Sequence, residues 1–503
     1  MIDQLIAGFA EALTFYNVLF ITLGLVLGIV IGVIPGLGSV TAMAVLIPVT
    51  YYMSPVTAIA FLVGVNKGGT SGGAIPAVLL NSPGTAESAA SALDGYPMAK
   101  RGEPERAMKF ALYSSVTGDT ISDMLLIVLV VPFATIALQF GPLEFASVLL
   151  FAFTLLAGIS SASPVKGLIA IFFGVFLATI GLDPVDSTPR LTFDQIHLYD
   201  GLSLIAVAIG SLALSSVAAQ LLDMAAKRRG GGVPHEALPP STNRHLGAVE
   251  FFSHWKTIIR SSLFGSGVGM LPGLGVTLAA FLSYGAARKA SKDPDSFGKG
   301  NPEGIIATEA ANSAVVGANL VPALALGIPG NVAAALLISA FIIHGIVPGP
   351  FMMTMHGDVV YALFASMLMA NFLHLIVGRL GIPVWALVTK VDQAYVLPIV
   401  VMLCVTGVYL PSQSLFDVGV MLIFAVLGLV MSRTGFSVVG MVIGFILGGL
   451  FETSLRQSLL LYKSDYSVLL ESPIALAFLL LAALVILRGM WPAKRQEPVH
   501  DAQ

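Results

Sequence analysis

Long apolar runs alternate with short polar punctuation along most of this chain. Leu125 to Leu138, Leu149 to Gly158, Ile169 to Ile180, Leu202 to Leu214, Leu397 to Leu410, Val418 to Met431 and Ile474 to Leu487 sit inside stretches approaching the roughly 20 apolar residues that a spanning helix needs. The pattern predicts an all-α polytopic membrane protein with on the order of 10 to 12 transmembrane segments. Against that background, "LLNSPGTAESAAS" at Leu79 to Ser91 is a polar break that asks for a physical reason.

The break belongs to a repeat. "GIVIGVIPGLGSVTAMAVL" from Gly28 returns as "GSGVGMLPGLGVTLAAFL" from Gly265, and "IPAVLLNSPGT" from Ile75 returns as "VPALALGIPGN" from Val321. Each half therefore carries two Pro-Gly breaks. The expected organisation is a first half over 1–225 with breaks at 35–38 and 82–85, and a linker over 226–256. A second half over 257–470 has breaks at 272–275 and 328–331, and an extra helix and tail fill 471–503.

Charge orients the halves. Lys100, Arg101, Arg106 and Lys109 follow the second break of the first half, with only Lys67 between its breaks; in the second half Arg288, Lys289, Lys292 and Lys299 lie between the breaks. Equivalent positions carry opposite bias, so if basic loops are cytoplasmic the halves are inverted relative to one another. The linker, with Lys227, Arg228, Arg229, Arg244 and Lys256, and the tail, with Lys494 and Arg495, are expected inside; the acidic loop from Asp183 to Asp200 is expected outside. The N-terminal segment lacks a basic n-region, and its helix is expected to be retained.

In hydrocarbon every backbone N–H and C=O must be paired, so Pro-Gly breaks at membrane depth survive where protein or a water-filled cavity receives the freed groups. Half-helix N-termini suit a carboxylate, while unwound carbonyls and side-chain oxygens suit a small cation. The candidate substrate- and ion-binding positions are thus Gly36, Gly38, Gly84, Gly273, Gly275 and Gly330 in the breaks, with Asn81, Ser82, Thr85 and Asn331 at the tips. Those last four offer neutral oxygens for a sodium ion. The competing reading makes each Pro-Gly an interfacial turn. Glu309, Asn312, Val316 and Asn319 follow 3 and 4 spacing, which predicts one polar helix stripe, either lining the site or hydrogen-bonding neighbouring helices. Glu309 is the natural proton carrier. Lys67 near membrane depth either meets a substrate carboxylate or pairs with Asp119, Asp123 or Glu309.

Composition removes other classes. Hydrophobic residues are 56% of 503 and charged residues 11%, too few charges to cover a soluble surface. A net charge of −3 argues against a nucleic-acid partner, and the lone Cys404 against an internal disulfide or cysteine metal cluster. "GVNKGGTSGG" does not meet the phosphate-loop order, and "GSGVG" lies in an apolar helix with no strand before it. No HExxH or Gly-x-Ser-x-Gly motif turns Asp119, Asp123, His344, His356 and His374 into an enzyme site, which leaves them helix-end or interhelical roles. No catalytic residue and no cofactor is expected, beyond sodium or a proton as coupling ion.

"GVIPGLGSVTAMAVLIPVTYY", "SGGAIPAVLLNSPGT", "ALDGYPMAKRGEPERA", "GMLPGLGVTLAAFLSYG", "EGIIATEAANSA" and "LVPALALGIPGNVAAALLISAFIIHGIVPGP" together resemble the large membrane subunit of the tripartite tricarboxylate transporters, the TctA family. The resemblance implies a multi-pass permease of the bacterial inner membrane that works with a small membrane subunit (TctB-like) and a periplasmic solute-binding receptor (TctC-like). It implies import of small carboxylates such as citrate by ion-coupled symport. A membrane enzyme acting on a lipid or carboxylated substrate, and a passive channel, are the alternatives. Asn66 and Lys67 in "VNKGGTSGG", and Thr308 and Ser313 in "IATEAANSA", depart from the family pattern and bear on the substrate. Asp94 in "ALDGYP" matches it, either as a loop cap or as a substrate contact.

Overall fold

A computed structural model describes residues 2–159, 163–183, 186–230, 246–272, 275–389, 391, 393–462 and 472–490. Gly273, residues 231–245 of the linker, Pro184 and the tail with Lys494 and Arg495 lie outside the described residues.

The chain is all-α apart from a two-residue antiparallel ribbon in which Gly181 pairs with Arg190. Its first part contains α1 (Ile2–Ala12), α2 (Phe15–Val33), α3 (Gly38–Leu46), α4 (Pro55–Gly72), α5 (Ala74–Leu80), α6 (Ala89–Lys100) and α7 (Pro104–Ala137). There follow α8 (Pro142–Ile159), α9 (Pro164–Ala178), α10 (Leu204–Ala208), a π-helical turn at Ile209–Leu214 and α11 (Ser215–Gly230). Beyond the linker come α12 (Ala248–Ser253), α13 (Trp255–Gly269), α14 (Gly275–Ala290), α15 (Pro302–Ala318), α16 (Leu320–Leu326), α17 (Val332–Ile343) and α18 (Met352–Met355). The described chain ends with α19 (Gly357–Val388), α20 (Gln393–Ser412), α21 (Leu415–Arg433), α22 (Val438–Leu461) and α23 (Pro473–Met490).

Among the described residues, 8 helical segments are long and apolar enough to cross a membrane, with shorter apolar helices beside them. Every apolar run picked from the sequence is centred on helix, with Ile169 to Ile180, Leu202 to Leu214 and Leu125 to Leu138 running one or two residues past it. The run at Leu125 is the most extended by the structure, because its helix begins at Pro104 and takes in Asp119, Ser122 and Asp123. Those polar residues broke the apolar pattern, yet they point into protein and are at most 1% exposed. The 34 residues of α7 reach about 51 Å at 1.5 Å per residue, longer than the hydrocarbon layer, so its first turns project beyond it. There Arg106 pairs with Glu103 and Glu250, and Lys109 pairs with Glu105 at 2.6 Å.

Small residues set how closely the helices approach, as expected where lipid removes the hydrophobic drive between spans. A Cβ on Gly24, Gly28 or Gly32 of α2 would overlap the α4 backbone at Phe61, Val65 and Gly69. Gly265 of α13 meets Ala311 of α15 in the same manner, and Gly118 of α7 meets Ala310. Outside this core α9 packs on α22 through Gly174 against Met441 and Gly444 against Ile171. The π-helical turn packs on α21 through Gly210 against Met421 and Gly428 against Ser211. The α15–α16 segment, Pro302–Leu326, has its apolar window wholly enclosed by protein; it is the centre of the molecule.

Candidate functional site

Two broken-helix tips are built to one plan. In the first, α5 ends at Asn81, which is left-handed with φ 50°. The Ser82 N–H then donates back to the Pro76 carbonyl at 3.3 Å. In the second, α16 ends at Gly327 with φ 69°, and the Ile328 N–H donates to the Pro322 carbonyl at 3.2 Å. Pro76 and Pro322, Asn81 and Gly327, and Gly84 and Gly330 stand at a constant offset along the chain. A Cβ on Gly84 would strike the Gly32 carbonyl and Gly73, and one on Gly330 would press on the Gly269 carbonyl and Asn319. Close backbone approach, rather than positive φ, is what requires glycine at these two positions.

The first half's two breaks touch. The Gly36 N–H donates to the Gly84 carbonyl at 3.2 Å, and Gly84 N–H to the Gly73 carbonyl at 3.2 Å. Gly36, Gly38 and Gly275 carry positive φ of 86°, 60° and 75°, a conformation that costs other residues about 1–2 kcal/mol. The tip side chains cap helices: Thr85 and Ser88 exchange hydrogen bonds before α6, and the Asn331 Oδ1 accepts the Ala334 N–H at 2.9 Å to start α17. Asn81 is exposed and Ser82 half-buried.

The tips lead to a buried polar core. The α6 helix packs against α15, and α17 against α4, so each broken hairpin seats on a helix of the other half. Glu309 is fully buried and accepts from the Ser91 hydroxyl of α6 and from the Ser115 hydroxyl of α7, the latter at 3.0 Å. Ser91 also reaches the Thr308 hydroxyl at 2.9 Å. Asn312 lies beside the Glu309 carboxyl without a hydrogen bond of good geometry, and Asn319 keeps an unpaired amide nitrogen. The predicted stripe Glu309–Asn312–Asn319 therefore faces protein from inside the central helix.

Lys67 stands apart from Glu309 and takes the partners anticipated for an interhelical role. Its ammonium donates to Asp123 Oδ2 at 2.7 Å and to Asn371 Oδ1 at 2.7 Å, and lies 3.4 Å from Asp119 Oδ1. Asn371 in turn donates to Asp123 Oδ2 at 2.8 Å. Helices α4, α7 and α19 are pinned together there. Asn371, Ser91, Ser115 and Ser122 were not singled out from sequence, though Ser115, Asp119 and Ser122 fall on one face of α7 at helical spacing, the signal that finds them. Among the described residues no three of His, Cys, Asp and Glu gather as a metal set.

Asp94 is a clamp between the halves. Fully buried, it accepts the N–H groups of Gly298, Gly300 and Asn301 at 2.8–2.9 Å and the Tyr284 hydroxyl at 2.9 Å. The loop it holds, 291–301, separates α14 from α15.

A polytopic helical protein with paired broken-helix tips above a buried polar core is a membrane transport component. The chain belongs to the TctA family of tripartite tricarboxylate transporters, whose description "Tripartite tricarboxylate transporter TctA family" matches residues 18–443. It is 31% identical over 99% of its length to an "Uncharacterized 52.8 kDa protein in TAR-I ttuC' 3'region" of Agrobacterium vitis, covering 98% of that protein. It is also 34% identical over 46% of its length to an "Uncharacterized protein in TAR-II ttuC' 3'region" of the same organism, covering 96% of that protein. No solved structure matches.

Proposed function

We propose that the chain is the permease subunit of a receptor-dependent secondary transporter in a bacterial inner membrane, importing tricarboxylate-like anions by ion-coupled alternating access. Its two halves act as inverted repeats, with the carboxylate held between the tips at Asn81–Thr85 and Gly327–Asn331. A small membrane subunit and a periplasmic receptor complete the complex, the receptor delivering the anion. The observation that carries the reading is the recurrence of one tip geometry in both halves, each seated on the other half's helix. Helix N-termini at α6 and α17 supply N–H donors and partial positive charge for a carboxylate. The placement of basic residues supports the orientation: Arg101 donates to the Lys299 carbonyl, and Arg101, Lys256, Arg260 and Lys292 line one polar cleft, which the charge rule puts on the cytoplasmic face.

Labelled citrate uptake by cells expressing all three subunits tests the reading. Uptake is expected from the wild type and lost in Asn331→Leu, which removes the cap of α17 and its tip oxygen, at unchanged amounts of membrane-inserted protein. Wild-type uptake kinetics in that variant would return the tip to a mere turn.

A further inference from the structure

The cluster around Lys67 is not electrically balanced. Asp119 and Asp123 on α7 bring two carboxylates, Lys67 on α4 brings one ammonium, and each of the three is at most 1% exposed. A buried excess charge costs several kcal/mol even after relaxation, so the cluster calls for one further positive charge. Several buried polar atoms around it lack a hydrogen bond: Asp119 Oδ1, which has only its ion pair with Lys67, Asp123 Oδ1, the Ser122 hydroxyl, and both nitrogens of His374 on α19. A Cβ on Gly317 of α15 would collide with both the Ser122 hydroxyl and Asp123 Oδ1, so those two oxygens flank one small space against the central helix.

The two carboxylates are not equivalent. Asp123 Oδ2 accepts charge-assisted bonds from Lys67 and from the Asn371 amide, both under 3 Å, the stronger kind of hydrogen bond. Asp119 has only the longer 3.4 Å ion pair, so fewer donors support its negative charge. A metal cation needs a shell of oxygen ligands, and among the described residues no three of His, Cys, Asp and Glu gather as one. A proton needs only one carboxylate oxygen, and on Asp119 it neutralises the excess. The charged groups facing Asp119 are Lys67 from α4 and Asp123 from its own helix, with His374 from α19 within electrostatic reach of Lys67. Glu309, from α15, sits further along α7 with Ser115. His374 also lines a cleft of about 30 Å³ with Ser71, Gly72, Met108 and Trp385, about the room of one water beside the cluster.

We propose that Lys67, Asp119 and Asp123 form a proton-binding site in which Asp119 takes up and releases the coupling ion, while Lys67 and Asp123 stay charged; this rests on the transporter reading above. Lys67 then acts as a fixed internal cation, and the free anionic substrate needs no contact with it.

Infrared difference titration of the purified full-length chain reads protonation without transport. Acidification is expected to raise a buried carboxylic-acid band in the wild type that vanishes in Asp119→Asn, shifts in Asp119→Glu and persists in Glu309→Gln. Asp119→Asn leaves Lys67 and Asp123 as a neutral pair, so it is expected to fold. A band that persists in Asp119→Asn, or that disappears in Glu309→Gln instead, overturns the assignment. In vesicles carrying the complex, labelled citrate accumulation driven by an imposed ~100 mV potential at equal pH is expected to fall by up to about 50-fold in Asp119→Asn, the worth of one coupled charge. Accumulation that follows a sodium gradient at equal pH on both sides also overturns it. No citrate accumulation by the wild type under either gradient, with the infrared band present and lost in Asp119→Asn, would unseat the transporter reading and leave the proton site standing.

Discussion

Removing the Lys67 ammonium leaves Asp119 and Asp123 facing each other with no counter-charge inside the protein, whereas removing Lys67 and Asp123 together leaves one carboxylate that a proton neutralises. Lys67→Met is therefore expected to cost about 3–5 kcal/mol, read as less monodisperse protein after extraction and a lower unfolding midpoint. Lys67→Met with Asp123→Asn is expected to recover most of that loss; a double variant no better than the single would mean that the charges do not support one another. Asp94 is the second residue on which much converges. Asp94→Ala strands three backbone N–H groups and a tyrosine hydroxyl, at about 1–3 kcal/mol for each donor left buried. Protease cleavage within 291–301 is expected to rise sharply in this variant, and an unchanged cleavage rate would remove Asp94 from the clamp.

Helices here are spaced by glycine, and the glycines divide by physical cause. Gly28 and Gly265 let neighbouring backbones touch, and Gly84 fits beneath the Gly32 carbonyl; a methyl at any of them forces helices apart. Gly275 is different, since its φ is 75° but nothing lies within 4 Å of an added Cβ. Gly84→Ala is expected to abolish citrate uptake and lower the unfolding midpoint, while Gly275→Ala costs only the roughly 1 kcal/mol of left-handed backbone and keeps most uptake. Equal effects of the two substitutions would refute the distinction between crowding and dihedral strain. The capping of α4 by Ser54 before Pro55, and of α15 by Asn301 before Pro302, starts the two paired helices alike.

Across the whole molecule, basic residues that occupy non-equivalent places in the two halves converge on one cleft, which is the arrangement that opposite insertion of the halves would produce. With Cys404 buried, single cysteines report topology cleanly. Cysteines at Arg101 and at Lys292 are expected to react with an impermeant maleimide from the same side, and one at Phe193, which is 76% exposed, from the other. Labelling of Phe193 and Lys292 from one side would reject the inverted arrangement. The ribbon beside Phe193 is tied to α22 by Arg190 with Glu452, and by Arg456 with Asp183 at 2.8 Å, so that face presents a held surface.

Membrane class, the rough placement of the spans, the family and the internal repeat were legible along the chain, because apolar run length and Pro-Gly punctuation are local properties that need no partner to be read. The spacing put Glu309 on a polar helix stripe, and Asp119 and Asp123 stood among the partners open to Lys67. The fold chose among those partners, since α4, α7 and α19 bring Lys67, Asp123 and Asn371 together from positions 56 to 304 residues apart. It also decided that Asp94 is a clamp, because its donors belong to the other half. Gly84 likewise depends on a carbonyl of α2 for its meaning. Charge balance, hydrogen-bond satisfaction and backbone clearance are properties of neighbours in space, and no linear pattern of residue types carries them.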